Sequence, residues 1–216
     1  MTTITFDQIP ELFDQVGALF MEKKDELCDM DAKLGDGDLG LTMSKGYGSL
    51  PGIMRDEAAG AAGDIGKLLM KAGMKMSSLV PSTMGFLMST GVMEGGKALK
   101  GKAEIGKEEM AQYLTGFAAG VQKRGKCEAG QRTIYDAILP AAEAAKEEAA
   151  KPEASLESVM EAAYAAAQAG VDATKDMVPV FGKAAVHAAQ CAGVPDQGAV
   201  AGCYLIQGLR DYICKS

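Results

Sequence analysis

Tryptophan is absent from this chain of 216 residues, histidine occurs once, and aromatic residues make up only 6%. A β-sandwich draws its core from aromatic and β-branched side chains, so the shortage turns the expectation toward closely packed helices. No run of about 18 apolar residues is present, and no membrane span is expected. Asp7 and Glu11 fall where a signal segment would need a basic-then-apolar run. The five cysteines, Cys28, Cys127, Cys191, Cys203 and Cys214, are odd in number and never form C-x-x-C. A disulfide framework or zinc site is therefore disfavoured, and a reducing, cytoplasmic setting fits best. Positive charge is also short: 22 Lys and Arg face 29 Asp and Glu, for a net charge of -7. Such a field attracts neither nucleic acid nor an anionic membrane, and an anionic substrate would need a local cation.

What the chain does contain is helical periodicity over a composition that is 48% apolar, enough for a sizeable core. Ile9, Leu12, Phe13, Val16, Leu19 and Phe20 predict a helix over 6–28. A weaker helix over 41–55 is interrupted by Gly46 and Gly48, and another spans 58–74. Pro81 marks a break at 77–85, after which 86–99 resumes. Residues 106–125 form a helix that is acidic at its start and carries Lys123 and Arg124 at its end, as the helix dipole prefers. Helices follow over 134–150, 155–173 and 199–214. Residues 177–198 are a long irregular stretch of the kind that forms lids or binding loops. The sum is about eight helices, no strand and no domain boundary, an all-α single domain over 1–216.

The segment KLGDGDLGLTM, residues 33–43, concentrates the chemistry. Gly35, Gly37 and Gly40 match G-x-G-x-x-G, but a dinucleotide fingerprint needs a preceding strand, and an amphipathic helix stands there instead. Asp36 and Asp38 would also repel a pyrophosphate. A calcium loop counted from Asp31 or Asp36 needs Glu at its twelfth position and meets Thr42 or Tyr47. Two readings remain. Asp31, Asp36 and Asp38 are three carboxylates that a magnesium ion could draw together, with glycines allowing the turn and the following helix start facing phosphate. Alternatively, Asp and Gly simply build a solvated turn between helices.

MDAKLGDGDLGLTM, AGMKMSSLVPSTMG, KRGKCEAGQRTIYDAILP and GKAAVHAAQCAGVPDQGA together resemble the nucleotide-binding L subunit (DhaL) family of dihydroxyacetone kinases. MDAKLGDGDLGLTM resembles the family's metal loop, an aspartate followed after three residues by G-D-(G/A)-D-H-G-x-N-M. AGMKMSSLVPSTMG stands where the family has a serine- and glycine-rich loop. KRGKCEAGQRTIYDAILP is close to R-G-(K/G)-A-x-P-G-D-K-T-M-x-D-x-x-x-P, and GKAAVHAAQCAGVPDQGA matches the family's lid segment in spacing. The resemblance implies an antiparallel eight-helix barrel with a nucleotide and two magnesium ions at one rim, and a lid over 177–198.

Carried over by position, the resemblance makes Asp31, Asp36 and Asp38 the Mg2+ ligands. It places Leu39, Gly40, Leu41 and Thr42 against the phosphates of ADP or ATP, and Thr83 and Met84 against the nucleotide. Gly125 and Ile134 would flank the adenine or ribose, Lys183 would stand in for a phosphate-binding arginine, and Asp196, Gln197 and Gly198 would close the lid. It implies phosphoryl transfer to a small hydroxyketone or polyol on a DhaK-like partner subunit. The phosphoryl source is either exchanging ATP or held ADP rephosphorylated by a phosphotransferase-system, DhaM-like protein.

Several positions depart from the family pattern: Leu39 replaces His, Thr42 replaces Asn, PSTMG replaces GGASG, Lys183 replaces Arg and DQG replaces DPG. These changes open a second reading, a catalytically altered nucleotide-binding or regulatory module of the same fold. Outside the motifs, His187 reads as a lid residue without chemistry and Cys127 as a thiol that merely neighbours Lys126. The methionines of 70–93 read as core filling. Lys123, Arg124, Lys126 and Arg132 form a basic cluster that suits either a helix end or docking to phosphate or an acidic partner.

Overall fold

A computed structural model describes residues 2–186 and 188–215, excluding the side chain of Lys183. His187 lies outside the described residues. Ten α-helices are present among them: α1 Ile9–Glu22, α2 Lys24–Ala32, α3 Leu39–Ala61, α4 Ile65–Leu79, α5 Thr83–Ala98, α6 Lys107–Gly125, α7 Tyr135–Ala149, α8 Leu156–Ala173, α9 Gly182–Val186 and α10 Gln197–Lys215. Eight of them, all but α2 and α9, form a closed ring in which each packs on the next and α10 returns to α1.

Neighbours in the ring run antiparallel. Along α1, Asp14 meets Arg55 of α3, whereas Phe20, further on, stacks on the earlier Tyr47 with ring centroids 4.8 Å apart. The closing contact has the same sense: Val16 lies against Gly208, and the Tyr212 hydroxyl donates to Glu11 at 3.1 Å. Tyr47, Phe13, Phe20 and Phe117 are the largest of the fully buried side chains that fill the ring. Glycines let the helix backbones close up; a Cβ on Gly66 would lie 2.5 Å from the Gly96 carbonyl oxygen.

The local signals explain the boundaries. Pro10 and Glu11 open α1, and its apolar spacing ends at Phe20. The predicted helix over 6–28 is therefore split: a 3-10 turn at Phe6–Gln8 precedes α1, and Lys23 separates α1 from α2. Gly46 and Gly48 do not interrupt α3, because Gly46 faces Met76 of α4 at a spot where a Cβ would lie 2.7 Å from the methionine Cε. Packing overrides the low helix propensity of glycine there. The actual break falls at Ala62 and Gly63, both at positive φ, where the sequence pattern had joined 58–74. Ser82 caps α5 by accepting the Gly85 N–H at 3.0 Å, which narrows the expected break of 77–85 to three residues, 80–82. The expectation of no strand is corrected in a small way: Ile4–Thr5 pairs antiparallel with Glu104–Ile105.

Alternation of direction sorts the loops by end. Residues 33–38, 80–82, 126–134 and 174–196 share one rim. The other end is knitted by the strand pair, by Ile65 N–H to Lys102 O at 2.8 Å and by Lys107 Nζ to Lys151 O at 2.7 Å. No helix among the described residues is long and apolar enough to cross a membrane.

The ring predicts opposite outcomes for two glycine-to-alanine changes. Gly66→Ala forces a methyl into the α5 backbone and is expected to cost about 1–3 kcal/mol. Gly52→Ala, in open space on α3, is expected to add about 0.5–1 kcal/mol. Urea unfolding midpoints of the two variants check the pair.

Candidate metal and nucleotide rim

Asp31, 8% exposed near the end of α2, organises the rim. Its Oδ2 accepts the N–H groups of Gly37 at 2.9 Å, Asp38 at 3.1 Å and Leu39 at 3.4 Å, while its carbonyl accepts Gly35 N–H at 2.5 Å. The loop thus folds back over the carboxylate that precedes it. Gly37 supplies the turn at φ +78°, which an L side chain adopts only with strain. Gly35 supplies room, since a Cβ there would run into the Asp31 carboxylate. Asp36 and Asp38, both exposed, are brought back as a result. One oxygen from each of the three aspartates lies within 4.8 Å of the others.

That donor set is all carboxylate oxygen, the chemistry that suits magnesium or another hard divalent cation. Three carboxylates this close repel one another, and a cation between them relieves the repulsion. The residues therefore fit a magnesium ion, whose remaining positions would be left to water and phosphate oxygens.

The start of α3 follows directly. Leu39 is 5% exposed and its side chain belongs to the main core, so only its backbone faces the loop. Gly40 and Thr42 are buried, and Leu41 stands 55% exposed. Thr83 is exposed at the first position of α5. Gly198 brings the starts of α5, α7 and α10 together: a Cβ on it would lie 3.1 Å from Met84 Cε and 3.3 Å from Ile134 N. Gln197 reaches the metal loop, with Nε2 donating to Asp31 Oδ1 at 3.4 Å. Gly125 ends α6 beside Leu87 and Cys127, and no direct contact ties it to the aspartates. Lys183 lies in α9, but its side chain is outside the described residues.

Asp196 is buried and caps α10, accepting the Ala199 N–H at 2.9 Å; its own N–H donates to Thr174 Oγ1 at 2.9 Å. Burial pushes its carboxyl up to about 6, against the lowering effects of the Ala199 amide and the nearby Arg132. Arg132 corrects the surface basic cluster: it is 3% exposed, whereas Lys123, Arg124 and Lys126 are on the surface. The Cys127 thiol is buried and pushed up by that burial, the opposite of an activated nucleophile.

Sequence reasoning assigned no role to Asp136, Thr174 or a buried Arg132. Asp136 accepts N–H groups from Gly130 at 2.5 Å and Thr133 at 2.7 Å, ordering the turn before α7. Its signal was present as the capping pattern Thr133-x-x-Asp136. A pocket of about 510 Å³ lined by Thr3, Glu104, Lys107 and Ser155 lies at the opposite end of the ring, away from the aspartates.

The DAK2 domain family matches residues 33–211. A PEP-dependent dihydroxyacetone kinase 2 ADP-binding subunit, DhaL, from Listeria innocua is 35% identical over 132 residues, 61% of each chain. The PEP-dependent dihydroxyacetone kinase ADP-binding subunit DhaL of Escherichia coli K12 is 30% identical over 140 residues, 65% of each. The chain thus matches just under two thirds of the length of these relatives. The crystal structure of the dihydroxyacetone kinase from C. freundii in complex with AMP-PNP and Mg2+ superposes with a TM-score of 0.68 at 24% identity, covering 95% of this chain and 34% of that one, and shows the same all-α fold.

The buried Asp196 has a pH consequence. Its folded value of about 6 lies above the ordinary 3.8, so between these the folded state holds a proton that the unfolded state has lost. Stability from this group is present at low pH and is lost as pH rises from about 4 through about 6, by up to about 3 kcal/mol. Asp196→Asn is expected to gain stability relative to the parent over that window. Urea midpoints at successive pH values, compared between the two chains, check it; parallel curves would contradict it.

Proposed function

The chain belongs to the DAK2 domain family, and from that premise we propose that it is the nucleotide-binding subunit of a dihydroxyacetone-type kinase. In this reading residues 1–216 act as one domain that holds ADP or ATP with magnesium. The terminal phosphoryl group goes to a small hydroxyketone or polyol on a DhaK-like partner. The observation that carries the proposal is the convergence of Asp31, Asp36 and Asp38 on the rim where four loops meet. Two of the similar proteins are named as ADP-binding subunits, and the C. freundii kinase was captured with AMP-PNP and Mg2+.

In this reading the residues of the rim divide the work. The three aspartates hold the metal, which when bound spreads the negative charge of the phosphates. First-turn amides of α3, at Gly40 and Leu41, offer partial positive charge to phosphate oxygens. Thr83 and Met84 on one side, with Gly125 and Ile134 on another, bound the space for ribose and base. Asp196, Gln197 and Gly198 set the start of α10 against that space, and by resemblance alone Lys183 is the residue that would supply a lid cation. Positioning and charge neutralisation are what phosphoryl transfer chiefly requires. The exposed apolar residues Leu41, Val178, Val180, Phe181 and Val186 lie on the α3 start and on the lid, a surface suited to the partner. Both named subunits are PEP-dependent, which favours held ADP rephosphorylated by a DhaM-like protein over freely exchanging ATP.

Leu39 favours a second reading. Its buried side chain can contact neither metal nor phosphate, as a module that binds nucleotide without turnover would permit.

Calorimetry with ADP, with and without Mg2+, tests the assignment. The parent chain is expected to bind ADP in a magnesium-dependent way, and Asp36→Asn to weaken it at least tenfold, about 1.4 kcal/mol. Unchanged affinity would remove the aspartates from the metal site, and no ADP affinity in the parent would exclude both readings. Binding without transfer to dihydroxyacetone in the partner's presence would select the second.

A further inference from the structure

The segment that crosses the rim between α8 and α10 has little apolar anchorage of its own. Among the described residues its buried apolar cluster consists of Ala184 and Cys191 against Leu34 of the metal loop, with Pro179 buried besides. Val178, Val180, Phe181 and Val186 face outward. A stretch this poor in buried contacts needs another reason to hold one path.

Arg132 supplies it. Its side chain comes from the α6–α7 loop and is fully buried. Nε donates to the Thr174 carbonyl at 3.2 Å, and Nη2 to the carbonyls of Val194 at 2.8 Å and Cys191 at 3.4 Å. One planar guanidinium therefore ties both ends of the rim-crossing segment to a single point. Among the described residues Nη1 has no hydrogen-bond partner, and it lies 3.8 Å from Asp196 Oδ1, so the charge also faces the carboxylate that caps α10. The backbone of Arg132 sits at φ +58°, a left-handed conformation that is strained for a non-glycine residue. Such strain persists where surrounding contacts over-determine it. Here these are the guanidinium bonds and the Asp136 carboxylate, which pins Gly130 and Thr133 on either side.

We propose that Arg132 is a positioning residue for the lid: it fixes the segment 174–196 across the rim and couples it to Ile134, two residues on, where the base or ribose is placed. Only this last coupling rests on the nucleotide reading. Lysine at this position would keep the charge but lose the fork that reaches several carbonyls at once.

Hydrogen exchange of the full chain without ligand, resolved by segment, tests the anchor. Arg132→Gln is expected to speed exchange of 177–195 at least tenfold, and Arg132→Lys by less, while amides of α1, α3 and α4 keep their protection. Equal acceleration in every helix, no change in the segment, or failure of both variants to fold would overturn the proposal, since each marks Arg132 as a general stability residue or as dispensable. A second measurement reads the coupling. Mn2+ affinity at the aspartates is expected to stay unchanged in Arg132→Lys while magnesium-dependent ADP affinity falls severalfold. A parallel loss of both would overturn the coupling. If the parent binds no ADP, the nucleotide reading fails while the exchange data still decide the anchor.

Discussion

The rim depends on one carboxylate that is solvated by its own chain. Asp31 sits at the end of α2, and the next residues have no regular structure to satisfy their amides. The Asp31 side chain accepts those amides, and by doing so it sets the path from α2 into α3. Everything else at this end inherits that path. Asp36 and Asp38 face Asp31 because the loop has already been turned, and α3 starts where its first-turn amides can face an anion. The glycines serve this arrangement through the space and φ they permit, which explains why a pattern shaped like a dinucleotide fingerprint occurs in a helical protein.

The helical content and the order of elements were readable from periodicity, because a helix that buries one face must repeat near 3.6 residues. The boundaries were less readable where two effects competed. Gly46 and Gly48 looked like interruptions, yet α3 continues because Gly46 meets a methionine of the next helix, information that lies thirty residues away. Lys23 divides one predicted helix into two without any glycine or proline to announce it. Closure of the ring could not be read from periodicity at all, since it depends on α10 meeting α1 across nearly the full length of the chain.

The site divides along similar lines. Three aspartates within eight residues are a local signal, and local signals survive into structure. The basic residues misled because charge on paper carries no burial. Lys123, Arg124 and Lys126 extend from a helix end, while Arg132 turns inward to carbonyls 42 to 62 residues away in sequence. Burial of Arg132 and of Asp196 makes the two charges mutually dependent, which a one-dimensional reading cannot supply.

The antiparallel ring has a further consequence. α1 leaves from the end of the barrel opposite the aspartates, and α10 returns to that same end. Thr2 and Lys215 therefore both emerge on the far side from the loops. A polypeptide tethered before or after this ring would not sweep across the rim, and the ring could serve as a cassette within a larger chain, as its likeness to 34% of the C. freundii kinase illustrates.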